Sequence, residues 1–109
     1  MEIYYSVDDG VYIKNENGTS TRKCKCGSWL HHWELFGGQK ASTCCVSKCH
    51  NDAEHGAHVT RPWANNDDYK THVYIVPMCP QHNSQHGDSF HTKDHTTFVW
   101  ANVSKTCGH

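Results

Sequence analysis

Apolar positions in this chain come in short runs whose period changes several times. Residues 3–7 and 11–13 alternate modestly around Asp8-Asp9-Gly10. Asp-Gly between two β-rich runs is a hairpin signal, so these two runs are expected to pair with each other. Residues 15–21 are polar, with Asn17-Gly18 as a turn. The period then becomes helical. Ser28 is a good N-cap, and Trp29, His32, Trp33 and Phe36 fall at i, i+3, i+4 and i+7 on one face. Gly37-Gly38 closes this helix over residues 29–36. Residues 44–50 read as a tight loop and 56–60 as a short strand. Residues 61–70 are a polar loop with Pro62 and the run Asn65-Asn66-Asp67-Asp68. Residues 71–76 are β-branched and aromatic, which predicts a strand, and Pro77 is expected to end it. Cys79-Pro80-Gln81-His82 reads as the first turn of a helix, where Pro is tolerated. Residues 90–93 and 96–103 carry later strand character. Repeats, linkers and low-complexity segments are absent from the sequence. The pattern predicts one α+β domain over residues 1–109.

Composition sharpens this picture. Only 36% of the 109 residues are hydrophobic. Leu occurs only at Leu30 and Leu35, and Ile only at Ile3, Ile13 and Ile75. The core must lean on Val, on four Trp, and on Tyr and Phe. A core that thin favours an added staple, either disulfides or metal.

Seven Cys and eleven His decide which. Residues 1–12 show neither a basic stretch nor an apolar stretch of the kind that directs secretion. No run approaches the roughly 20 apolar residues of a membrane span. The expectation is a cytoplasmic chain whose thiols stay reduced and free to bind metal. Cys44-x4-Cys49 is answered thirty residues on by Cys79-x2-His82, and Cys24-x-Cys26 by Cys107-x-His109 at the far end. Four thiolate or imidazole donors are what a structural zinc ion takes, so two Zn2+ ions are expected. In the first set Cys45 competes with Cys44, since a three-residue or a four-residue loop can close on the ion; Cys44 is preferred because the longer loop is less strained. In the second set Cys24, Cys26 and Cys107 are completed by His32, on the apolar face of the helix, or by His109. That clip would close a loop of some eighty residues and constrain the unfolded chain strongly. His50, His55, His86, His91 and His95 read as solvated, although His91 and His95 with Asp88 or Asp94 are candidates for a third, open metal site.

The order of knuckle, hairpin and helix with two ligands in its first turn resembles a treble-clef zinc finger. Gly56-Ala57-His58-Val59 and Tyr74-Ile75-Val76-Pro77-Met78-Cys79 are also similar to the HNH nuclease version of that fold, over residues 44–86. That resemblance implies His58 as a general base. It also places Tyr74 where the family has its central Asn and Asn83 where it has a metal-binding His, with His72 and His86 as nearby replacements. The whole-chain pattern, from Cys24-x-Cys26-Gly27-Ser28-Trp29 to Thr106-Cys107-Gly108, looks like that of a group of small uncharacterised zinc-binding proteins.

Charge bears on the partner. The formal net charge is −1, and each Cys3His set with its divalent ion contributes a further −1, taking the loaded chain to about −3. Lys and Arg are scattered except for Arg22-Lys23-x-Lys25. This is a poor match to a phosphate backbone. The expected function is non-catalytic: zinc-stabilised binding of a protein partner, or self-assembly into a homo-oligomer. The alternatives are a divergent HNH-type nuclease using His58 and a nucleic-acid-binding zinc module.

Overall fold

Alternation along the strands sorts the apolar residues onto two faces of one sheet, and each face is covered in a different way. The computed structural model describes residues 4–16, 28–85 and 87–101. In chain order these form β1 (Tyr4–Ser6), β2 (Tyr12–Asn15), α1 (Trp29–Gly37), β3 (His55–Thr60), α2 (Asp67–Thr71), β4 (Tyr74–Met78), α3 (Pro80–Asn83), β5 (Ser89–His91) and β6 (Thr97–Trp100). The six strands make one antiparallel sheet in the order β1-β6-β4-β3-β2-β5. The expected α+β class is observed. No helix among the described residues is long and apolar enough to cross a membrane.

Helix α1 forms where the pattern places it. The Ser28 side chain accepts from the His31 N–H at 3.1 Å. Gly38, in the left-handed region at φ 72°, caps the other end by donating to the Glu34 carbonyl. The buried face carries His32 and Trp33. Trp33 packs with Ile75, Val99 and Ala101, and Trp29 and Phe36 close over them. The Trp33 indole N–H donates to the Thr97 carbonyl at 2.8 Å, so this large ring is buried with its one polar atom satisfied.

The opposite face holds the larger core. Tyr5, Ile13, Val59, Tyr74, Val76, Met78 and Phe98 pack there against Cys44, Cys45, Val46 and Cys49. The Tyr5 ring stacks on Tyr69 at 3.9 Å and on Phe98 at 5.1 Å. Arg61 lies over the same rings and donates to the Tyr5 hydroxyl at 2.9 Å. Burial, opposed by Arg61, pushes the Tyr5 phenol up to about 12.

Three expectations are corrected. First, β1 and β2 do not pair: β1 pairs β6 at one edge, and β2 pairs β3 and β5 near the other. The connecting residues bond instead to the segment between β5 and β6. Val7 N–H donates to the Thr96 carbonyl, Gly10 N–H to Asp94 Oδ1, and Val11 N–H to Thr92 Oγ1. Gly10 is needed for close approach rather than for a hairpin turn, because a side chain there would run into the Thr92 carbonyl and the His91 ring. Second, Pro77 lies inside β4, opposite Gly56, rather than ending it. The pairing of β4 with β6 covers Tyr74 and Ile75, short of Pro77, so the missing N–H breaks no rung on that side. Third, the polar loop contains α2. Asn66 caps it, its side chain accepting from the Tyr69 N–H at 3.2 Å, and so converts a turn-like run into a helix start.

Gly56 fixes the distance between sheet and helix. A Cβ there would stand 2.5 Å from the Leu30 nitrogen and 2.6 Å from the Trp29 oxygen. Those atoms are helix backbone and cannot swing aside. Gly56→Ala is therefore expected to destabilise the chain by about 1–3 kcal/mol, read as a lower midpoint in denaturant. An unchanged midpoint would mean that α1 can slide on the sheet.

Candidate metal centre

The cluster is built where the chain passes from loop to sheet to helix. Thr43 and Asp52 form a bridge at the base of the knuckle, and the Cys44 N–H donates to the Asn51 carbonyl at 2.9 Å. The turn closes with the Cys49 N–H on the Val46 carbonyl at 3.0 Å, and Lys48 adopts the left-handed conformation at φ 67° to allow it. The knuckle is strapped to the sheet by three further bonds: Cys45 N–H to Pro77 carbonyl, Ser47 N–H to His91 carbonyl, and Lys93 N–H to Cys45 carbonyl. Cys79 follows β4 as the N-cap of α3, with Pro80 in the first turn. Three residues on, His82 projects from that turn, and its ring meets Phe90 edge-on at 5.0 Å.

These elements bring Cys44, Cys49, Cys79 and His82 together, with all four donor atoms within 4.8 Å of one another. Cys49 Sγ is 3.9 Å from Cys79 Sγ. His82 Nδ1 is 3.7 Å from Cys44 Sγ and 3.2 Å from Cys79 Sγ. A tetrahedral ion with sulfur at about 2.3 Å and nitrogen at about 2.0 Å separates its ligands by about 3.8 Å between sulfurs and about 3.6 Å between sulfur and nitrogen. The spacings fit that geometry, and all four cysteines among the described residues are free. This cluster can hold a metal ion. Cys44 and Cys79 are fully buried and Cys49 is nearly so.

The thiols differ in acidity. Burial pushes Cys44 up to about 11. Burial also works to raise Cys79, but hydrogen bonds from the His82 backbone N–H, the His82 ring, Cys44 and Cys49 outweigh it and hold this thiol down at about 6. Asn51 Nδ2 adds a long contact to the same sulfur, 3.9 Å away. Of the two, Cys79 is the thiol disposed to ionise, and Cys44 is the one that gains from a cation beside it. Cys45 is not one of the four. Burial, and then the neighbouring Cys44, push its thiol well above the ordinary range, and it packs as an apolar side chain in the larger core.

Two supporting residues have no counterpart among the sequence-based candidates. Asn15 is 1% exposed in β2, and its Nδ2 faces the carbonyls of His82, Asn83 and Gln85, each at 3.1 Å. It thereby ties the end of α3 to the sheet. The signal was visible, since Asn15 occupies the same inward register as Ile13. Lys93 extends its amine to the Cys49 carbonyl and to Thr43 Oγ1, bracing both ends of the knuckle. Nothing in the sequence pairs it with residues so far upstream.

The other candidates are distributed as follows. His32 is completely buried in α1, with Nε2 2.9 Å from the Trp100 carbonyl oxygen and its ring between Trp29 and Phe36. Burial lowers its pKa, against the opposing pull of the Trp100 carbonyl. Cys24, Cys26, Cys107 and His109 lie outside the described residues, as does His86. His58 is 8% exposed in β3, with the Trp29 ring edge-on at 4.7 Å. Tyr74 is fully buried core, and His72 stacks on Trp100 at 4.8 Å. His91 and His95, candidates with Asp88 or Asp94 for a third site beside their solvated reading, are not brought together with them, since no second group of three or more such donors converges among the described residues. The His91 ring is taken up by Tyr12, and Asp94 accepts from Gly10. Comparison of the chain with protein-family models, with curated proteins and with solved structures finds no match.

Three substitutions test this arrangement. Cys44→Ser is expected to remove one metal equivalent, whereas Cys45→Ser keeps it; metal content by native mass distinguishes them. Asn15→Leu leaves three carbonyls without their shared donor and is expected to cost about 1–3 kcal/mol, with weaker metal retention against a competing chelator. Unchanged retention would detach Asn15 from the site.

Proposed function

We propose that this chain is a zinc-stabilised binding or self-assembly module without catalytic chemistry of its own. The observation that carries the reading is the convergence of Cys44, Cys49, Cys79 and His82, three buried cysteines and a half-buried histidine. Three sulfurs and one imidazole are the donors zinc takes at structural sites, and four protein ligands leave no open position for a substrate. The order of knuckle, β3–β4 hairpin and α3 with Cys79 and His82 supports a treble-clef reading of this half of the chain. The partner is another protein or a second copy of this chain.

A second zinc ion, held by Cys24, Cys26, Cys107 and His32, belongs to the same proposal, with His109 as the alternative to His32. The His32–Trp100 contact supports His32, because a carbonyl held 2.9 Å from Nε2 fixes the orientation of the ring, as the outer partner of a metal-bound histidine does. Against the nuclease alternative stands the environment of His58. It is nearly buried beneath Trp29, with Tyr74 and Asn83 in place of the residues that would bring a divalent ion to it. A general base without its metal partner contributes little to phosphodiester hydrolysis.

The test is metal dependence. Native mass is expected to give two zinc per chain, and strong chelation at neutral pH is expected to unfold it. A chain that stays folded without metal would overturn the reading. In a plasmid assay with Mg2+, Mn2+ or Ni2+, no nicking is expected, and His58→Ala should lower stability by about 1–3 kcal/mol. Nicking that disappears in a folded His58→Ala protein would replace the binding module with an enzyme.

A further inference from the structure

Among the described residues most large side chains are covered, yet an aromatic group stands open beside the β2–β5 edge. Tyr12 is 61% exposed and Trp63 is 60% exposed. Tyr12 on β2 and His91 on β5 are register partners, and Trp63 reaches them from the turn after β3. Tyr12 meets Trp63 at 6.3 Å with the rings 70° apart, and His91 at 4.9 Å with the rings 76° apart. Rings that meet edge to face do not cover one another by stacking, so aromatic faces remain available to solvent. Exposed Trp and Tyr in contact are the composition of an interface centre rather than of ordinary surface.

The charge around these rings is mainly negative. Asp8 and Asp9 stand exposed in the turn that leads into β2. Gly10, next to them, lies against the His91 ring and donates to Asp94 Oδ1 at 2.8 Å, which brings a third carboxylate to the same edge. Glu16 lies further along the same face, accepting from Thr60 Oγ1 at 2.6 Å. Lys14, between Tyr12 and Glu16, is the basic side chain on this face of β2. Lys93 and Arg61 keep their charge but direct their head groups to the Cys49 carbonyl and to the Tyr5, Tyr69 and Phe98 rings.

We infer that the Tyr12–Trp63–His91 surface docks a cationic polypeptide segment, with a Lys or Arg side chain laid on the aromatic rings and its remaining positive charge facing Asp8, Asp9 and Asp94. Aromatic faces attract cations, and the flanking carboxylates select the same sign of charge. A nucleic-acid strand would want the same rings with Lys and Arg around them, and here the surround has the opposite sign. The inference rests on the reading of the chain as a binding module and names the chemistry of its partner.

The experiment is an amide and indole NMR titration of the full, zinc-loaded chain with a short peptide alternating Lys and Ser. A Glu–Ser peptide and single-stranded oligo-dT serve as comparisons. Shifts are expected at the Trp63 indole and at amides of residues 8–14, 61–64 and 89–94. Affinity should fall about fivefold in Trp63→Ala, fall further when Asp8→Asn and Asp9→Asn are combined, and weaken with added salt. Trp63 is exposed, so the rest of the spectrum should stay unchanged in its variant. No shifts at millimolar Lys–Ser peptide, unchanged affinity in Trp63→Ala, or preferred binding of either comparison ligand would overturn the inference. Zinc content measured on the same sample separates the two readings. Failure to bind by a folded, zinc-loaded chain overturns the cationic partner alone, whereas a fold that survives without zinc overturns the metal-stabilised module.

Discussion

Three thiols and an imidazole converge on one small space, and much of the architecture around them follows from that constraint. Donor atoms within 4.8 Å of one another cannot all be charged without a cation between them. With a cation, each becomes a ligand and the ion becomes a cross-link. Such a link would join a loop that precedes β3 to a helix that follows β4, and so would hold both ends of the β3–β4 hairpin at once. A chain with few aliphatic residues gains from one such point what a larger protein gains from a broad apolar core.

The two faces of the sheet divide the work of stabilisation. One face is covered by α1, whose Trp33 fills the space over Ile75 and Val99 and whose approach is set by Gly56. The other face is covered by the knuckle itself, so the cysteines are core residues as well as donors. Cys45 shows the distinction within one dipeptide. Cys44 turns its sulfur to His82, while Cys45 contributes only packing.

Polar groups tie the two halves of this arrangement together. Asn15 reaches from β2 to the end of α3, and Lys93 reaches from the segment after β5 to both ends of the knuckle. Asn15 adds a donor to the carbonyls of His82, Asn83 and Gln85, and Lys93 supplies one to the Cys49 carbonyl. The site is therefore positioned by two further parts of the chain as well as by its own four residues.

Local signals in the sequence were reliable where the physics is local. The helix over 29–37 follows from a cap, a stripe and a terminating glycine, all within one segment. The pairing of Cys44-x4-Cys49 with Cys79-x2-His82 follows from donor chemistry and spacing, and these four residues do converge. Long-range choices lay elsewhere. Asp8-Asp9-Gly10 carries every sign of a hairpin turn, but its strands gain more by pairing with β6 and with β3 and β5, where their apolar faces join the core. Pro77 reads as a terminator until its place beyond the β6 pairing is known. Sequence determined the donor types, their spacing and α1, because cap geometry, side-chain period and metal preference act over a few residues. The short α2, whose Asn66 cap sits in a turn-like run, was not legible there. Tertiary structure alone decided strand order, the separate fates of Cys44 and Cys45, and the roles of Asn15 and Lys93, because each depends on which distant backbone comes within hydrogen-bonding or packing distance.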